Sequence, residues 1–192
     1  MRPAVWRRQL HWNETMNQQI RKQPRLQGKV AIVTGGGGYD NESGTGRATA
    51  VCLAAEGARV LVADISEENA DRTVEQIRAD GGDASSFIGD ATNSDDNQAM
   101  IATAVERYGG LQVLVNNLGF GGTTNRNWVS QKITDIDEQE WQRALDLNLT
   151  SAMLASKHAI PAMKDSGGGS IINVSSIDGL AAATHLGAPY SA

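Results

Sequence analysis

The chain has 192 residues, 22 acidic and 17 basic side chains, a net charge of −5 and a single cysteine. That length suffices for one domain with a sizeable core, and the acidic balance argues against a nucleic-acid partner. The lone cysteine, Cys52, excludes an internal disulfide framework and fits a reducing compartment. No apolar run approaches the length of a membrane span, and the scattered His11, His158 and His185 suggest no metal cluster.

Met1–Gln27 differs in composition from the rest. It carries Arg2, Arg7, Arg8, Arg21, Lys22 and Arg25 against one acid, Glu14, and has no apolar stretch of secretory type. It reads as a basic, solvated extension preceding a domain over 28–192. An organelle transit peptide and a true start at Met16 are the alternatives. The Asn13-Glu14-Thr15 sequon has no secretory context and is read as chance.

From Lys29 onward strand-like and helical runs alternate. Val30–Val33 has the branching and length of a strand buried on both faces. A glycine-rich turn follows, then RATAVCLAAEG with helical character ending at Gly57; Cys52, among Val51, Leu53 and Ala54, reads as core packing. Arg59–Ala63 is the second strand, and Glu67–Asp80 a helix with Ala70, Val74 and Ile77 on one face. Ser85–Ile88 is a short third strand. Ser94–Tyr108 is a helix with Met100, Ile101, Ala104, Val105 and Tyr108 at helical spacing, and Val113–Val115 is the fourth strand. Gly119–Ile136 is a long polar loop of the kind that often carries function. Asp137 and Glu140 resemble a capping box for a helix with Trp141, Ala144 and Leu145. A second helical stretch runs from about Thr150 towards Met163, Gly167–Gly169 breaks it, and Ser170–Val174 is the fifth strand. This alternation predicts an α/β fold: a Rossmann-like, doubly wound parallel sheet in three α/β/α layers.

In such a sheet, ligands sit beyond the carboxyl ends of the strands. Strand, glycine turn and helix at Lys29–Gly57 form the opening of a dinucleotide-binding unit. Glycines let a pyrophosphate approach the backbone, and the helix N-terminus offers it free N–H groups. Asp64 ends the second strand, eighteen residues after Gly46, where a carboxylate can accept ribose hydroxyls and repel a 2′-phosphate. No Lys or Arg lies between Gly35 and Gly46, and Ile65 follows Asp64, so NAD is favoured over NADP. Asp90 ends the third strand, Asn116-Asn117-Leu118-Gly119 the fourth, and Ser175-Ser176 the fifth; Tyr190 follows fourteen residues after Ser176.

Together these elements resemble the short-chain dehydrogenase/reductase family over Gly28–Ala192. Thr34-Gly35 with Gly44-Thr45-Gly46 is similar to its TGxxxGxG turn. Asp90 matches its adenine-contacting aspartate, with Ala91 beside it among the cofactor-binding positions. Asn117 and Gly119 belong to an NNAG-like element. Asn148, Ser176 and Tyr190 match three members of its Asn-Ser-Tyr-Lys tetrad.

The resemblance implies hydride transfer between a nicotinamide and an alcohol or carbonyl carbon. Tyr190 would be the acid/base, Ser176 would bond the substrate oxygen, and Asn148 would hold a water in the proton relay. Read singly, each has a plainer alternative: a turn cap for Ser176, a helix-junction residue for Asn148, a surface residue for Tyr190. Two departures stand out. Eight residues, Gly36–Ser43, separate Gly35 from Gly44 where the family has three, so Tyr39–Glu42 should bulge near the phosphates. The family's lysine would fall at position 194, past Ala192. A polypeptide ending there is expected to be C-terminally incomplete, with little or no activity. Its fifth strand would then be an exposed, aggregation-prone edge. The alternative is a non-enzymatic dinucleotide-binding module. A serine hydrolase lacks its G-x-S-x-G elbow here. The expected partner is a small alcohol or carbonyl compound, with no membrane or nucleic acid. A homo-oligomer in the full-length form and a cytoplasmic location complete the reading.

Overall fold

The computed structural model describes residues 24–38, 44–120, 134, 136–180 and 188–192. Five parallel strands pair in the order β3-β2-β1-β4-β5. They are β1 (Val30–Thr34), β2 (Arg59–Asp64), β3 (Asp83–Ile88), β4 (Val113–Asn116) and β5 (Ser170–Asn173). The helices are α1 (Thr45–Ala55), α2 (Glu67–Ala79), α3 (Ser94–Tyr108), α4 (Glu138–Leu145), α5 (Ser151–Asp165) and the single turn α6 (Ala188–Ser191). A π-helical turn, Asp146–Thr150, joins α4 to α5, and a 3₁₀ turn covers Ile177–Gly179.

The continuous apolar strands follow from a sheet covered on both faces. Side chains alternate across a strand, so each strand feeds two cores. Val30, Ile32, Leu61 and Leu114 pack with Met100, Ile101 and Ala104 of α3 and Ala155, Ala159 and Met163 of α5. Ala31, Val33, Val60, Val62 and Val115 pack on the opposite face with Ala50 and Ala54 of α1 and Ala70, Val74 and Ile77 of α2. The predicted three-layer α/β/α architecture is therefore the observed one.

Helix starts obey capping chemistry. Ser66 Oγ accepts from Asn69 N–H at the start of α2, and Asn93 Oδ1 accepts from Asp95 and Asp96 N–H at α3. Asp137 Oδ1 accepts from Gln139 and Glu140 N–H at α4, so the aspartate half of the anticipated capping box is present. At α1 the cap position is Gly44, and the first turn has no side-chain cap. Its orphan N–H groups are left to another partner.

Several expectations need correction. Cys52 is exposed, not core, because α1 turns Gly46, Ala50 and Ala54 inward instead. Val105 is 39% exposed; Met100, Ile101, Ala104 and Tyr108 already fill the stripe that α3 presents to the sheet. The two anticipated helical stretches on either side of residue 146 form one continuous helical run through the π turn. β3 begins at Asp83, two residues early, and pairs with β2 along its whole length (Arg59↔Asp83 to Asp64↔Ile88). Residues 24–28 form a turn that packs on α1: Arg25 makes a bidentate ion pair with Glu56, and Leu26 touches the core. Within the described residues β5 is an outer strand, with Ile172 and Val174 exposed, as anticipated from the strand order. Residues 1–23, the Tyr39–Glu42 insertion, most of the Gly119–Ile136 loop and His185 lie outside the described residues.

Candidate active site

The strand order reverses direction between β1 and β4, so the ends of these two strands diverge into a crevice. The register sets Thr34 beside Ala63 on one side and Asn116 on the other, with Asn173 next in line. Every strand-end residue picked out from the sequence thus lies along one edge of the sheet.

Asn117 ties this edge together. Its Nδ2 donates to Thr34 O (3.3 Å) and Gly35 O (3.4 Å), and its Oδ1 accepts from Thr45 Oγ1 (2.9 Å). Thr34 Oγ1 in turn accepts from Asn117 N–H (3.2 Å). The Asn117 side chain therefore braces the glycine turn and the start of α1. Gly46 makes the brace possible: a Cβ there would overlap Gly35 O and come within 2.5 Å of Asn117 Nδ2. Gly35 itself has φ of +63°, in the left-handed region that favours glycine. Glycines at 35 and 46 beside an uncapped helix N-terminus fit the pyrophosphate of a dinucleotide.

Two clefts open on this edge. The first is walled by Thr34, Gly35, Asp64, Asp90 and Ala91, with Phe87 and Met100 as apolar surface. Asp64 is held rigidly there: Oδ2 accepts from Gly37 N–H (2.9 Å) and Oδ1 from Ser66 N–H (3.0 Å). Asp90 Oδ1 accepts from both the N–H (2.8 Å) and Oγ1 (2.7 Å) of Thr92, while Asp90 N–H donates to Asp96 Oδ2 (2.8 Å). Both aspartates shape turns, and both also face the cleft.

The second cleft, about 640 Å³, brings together Thr45, Asn117, Gly119, Asn148, Ser176 and Tyr190. The three residues matched to the tetrad thus converge from the π turn, the end of β5 and α6. Leu118 lines both clefts and joins them. Asn148 sits in the π turn, a feature frequent at functional sites. Its amide is committed to one partner: Oδ1 accepts from Phe120 N–H (2.7 Å) and Nδ2 donates to Phe120 O (2.9 Å). Arg143 Cζ stands 5.7 Å from the Phe120 ring centroid. The helix-junction role is thus a structural fact for Asn148. Ser176 Oγ accepts from Asp178 N–H (3.2 Å) and caps the 3₁₀ turn, and it donates to Asp178 Oδ2 (3.0 Å). That is the turn-cap role, in a serine that also borders the cleft.

Leu147, Asn69 and Thr73 were not singled out from the sequence, and Leu118 entered only as part of the Asn116–Gly119 element. Leu147 looks like an ordinary core residue there. Asn69 and Thr73 reach the glycine turn only through tertiary packing.

A model of the short chain dehydrogenase family matches residues 29–192. The chain is 39% identical over 155 residues to an uncharacterized oxidoreductase of Thermotoga maritima, covering 81% of this chain and 56% of that protein. It is 39% identical over 162 residues to the trans-4-hydroxycyclohexanecarboxylate dehydrogenase of Sinomonas cyclohexanicum, covering 81% and 58%. A crystal structure assigned to the short-chain dehydrogenases/reductases, from Burkholderia xenovorans, superposes with a TM-score of 0.80 at 37% identity, over 88% of this chain and 64% of that one. The chain spans somewhat more than half the length of the curated relatives it matches. Motif order, sheet topology and these likenesses agree: the chain belongs to the short-chain dehydrogenase family, a family of NAD(P)-dependent oxidoreductases.

Proposed function

We propose that this chain is the dinucleotide-binding and partial catalytic portion of an NAD-dependent oxidoreductase that interconverts a secondary alcohol and its ketone, or a primary alcohol and its aldehyde. The observation that carries the reading is the meeting of Asn148, Ser176 and Tyr190 on one cleft, joined through Leu118 to the cleft that holds Asp64 and Asp90. When bound, the nicotinamide supplies the hydride acceptor or donor. The protein's part is to hold the substrate oxygen and move its proton. Tyr190 exchanges that proton through its phenol, and Ser176 bonds the same oxygen as charge develops on it. Asn148 acts as a brace, keeping Phe120 and the π turn in register with the cleft.

NAD is preferred over NADP because Asp64 presents a carboxylate to the first cleft and Ile65 beside it carries no charge. The lysine that the family places at position 194 would put a positive charge beside the site of proton exchange, where it offsets negative charge developing on the oxygen. A polypeptide ending at Ala192 therefore binds cofactor but turns over little or no substrate. The Sinomonas relative is named for acting on a ring alcohol, so cyclohexanol is a reasonable first substrate probe. The test is a fluorescence titration of the purified chain with NADH and NADPH. Turnover of cyclohexanol is then compared between this chain and one extended through a lysine at position 194. Tighter NADH binding, with turnover only in the extended chain, supports the reading. Equal affinity for both cofactors removes the NAD assignment, and robust turnover by the chain ending at Ala192 removes the inactivity.

A further inference from the structure

The long glycine turn has a foundation that the sequence does not advertise. Its first arm, Gly36–Gly38, lies against α2. Gly36 N–H donates to Ala63 O (3.1 Å), and Gly37 N–H donates to Asp64 Oδ2 (2.9 Å). Their carbonyls face the helix. Thr73 Oγ1 lies 3.1 Å from Gly36 O and 3.5 Å from Gly37 O, and Asn69 Nδ2 donates to Gly38 O (3.4 Å). Thr73 is fully buried, so its hydroxyl needs a partner. It carries one hydrogen. The ordinary helical acceptor, Asn69 O, is 3.3 Å away, whereas Gly36 O is nearer. The seat is also sterically closed. A Cβ on Gly37 would come within 2.8 Å of Ala70 N and of Asn69 Cβ.

We propose that Asn69 and Thr73 are positioning residues that anchor the first arm of the glycine turn on α2, leaving anion contact to the second arm, Gly44–Gly46, at the uncapped start of α1. The inference rests on the dinucleotide reading given above. It accounts for how a turn with five residues more than the family's usual three keeps a fixed cradle. The N–H groups of Gly36 and Gly37 and the carbonyls of Gly36 and Gly38 are taken by Ala63, Asp64, Thr73 and Asn69, so this arm is held as a wall against the helix. The second arm is braced separately, by Thr45 on Asn117 and by the packing of Gly46 on Gly35. Residues between the two anchored arms can then vary in number without moving either one.

The test uses the full chain and three measurements: NADH affinity by fluorescence titration, amide exchange by mass spectrometry, and thermal midpoint. Thr73→Val keeps the shape and removes the hydroxyl; Thr73→Ser restores it. The expected result for Thr73→Val is roughly a tenfold rise in the NADH Kd, the scale of one buried hydrogen bond. Faster exchange should be confined to peptides covering Gly36–Gly38, and Thr73→Ser should stay within about twofold of the unaltered chain. Asn69→Ala should shift both readouts in the same direction. Unchanged NADH affinity and unchanged exchange in Thr73→Val overturn the proposal while leaving the dinucleotide site standing. So does a loss that Thr73→Ser fails to rescue, or one spread evenly over β1 and α1. Failure of the unaltered chain to bind NADH removes the dinucleotide reading itself, and this proposal with it.

Discussion

Gly46 and Gly35 meet where the first helix crosses the end of the first strand, and there is no room for a Cβ on Gly46 beneath the Gly35 carbonyl. Replacing Gly46 by alanine forces α1 away from the sheet or breaks the Asn117 brace. Overpacking of this kind costs about 1–3 kcal/mol. The expected outcome for Gly46→Ala is a destabilisation of that order by urea unfolding, with at least a tenfold loss of NADH affinity. Unaltered binding would show that the cradle does not depend on this contact.

Ser176 Oγ donates its hydrogen to Asp178 Oδ2, and in the proposed reaction it would exchange that bond for one to the substrate carbonyl. Asp178→Ala leaves the backbone N–H of the cap in place and frees the hydroxyl. In a turnover-competent chain extended past Ala192, this variant should lower the KM for cyclohexanone several-fold. Ser176→Ala should reduce turnover by ~10²–10³, the scale for loss of a donor to a developing oxyanion. Steady-state kinetics in the reductive direction checks both; a raised ketone KM in Asp178→Ala contradicts the first.

Asn148 and Phe120 exchange two hydrogen bonds, one in each direction. Asn148→Ala removes both partners of the Phe120 backbone at once, at about 1–3 kcal/mol where the groups are shielded from water. Amide exchange at Phe120 should quicken, and turnover in the extended chain should fall even though the Asn148 side chain makes no substrate contact in this account. Unchanged exchange at Phe120 would show that the pair adds nothing to local order.

Tyr108 gives a pH dependence remote from the site. Burial pushes its phenol above the ordinary value, opposed by the hydrogen bond to Ser85 Oγ (2.8 Å). The folded pKa lies above the unfolded one, so the folded state favours the neutral phenol. That contribution is fully present below the unfolded value near ~10 and is lost as pH rises through the folded value. Tyr108→Phe should cost about 1 kcal/mol at pH ~7 through the lost bond to Ser85, and should flatten the alkaline decline. Urea midpoints measured from neutral pH to above ~10 for both proteins check the sign.

Much of the site could be read before the fold was known, because its chemistry sits at strand ends and strand ends are punctuated in the sequence. Thr34-Gly35, Asp64 and Asn116–Gly119 each follow a short branched apolar run, Asp90 follows the short run Phe87-Ile88, and all lie on the crevice edge. Side-chain commitments were less legible. Asn117, read as a cofactor-binding position, lines the second cleft and also braces two backbone segments. Cys52 resembled core because its sequence neighbours are apolar, but burial on α1 follows helical phase and not local composition.

The amino-acid sequence by itself determined the order of elements, the parallel three-layer fold and the candidate site residues. Apolar period, glycine punctuation and motif spacing are local properties that survive without coordinates. Only the tertiary structure decided which polar groups face each other. The clasp of Asn69 and Thr73 on Gly36–Gly38 and the Asn148–Phe120 exchange join residues whose chain separation carries no signal. A hydrogen bond depends on distances of about 3 Å and on direction, and neither is set until the layers have packed.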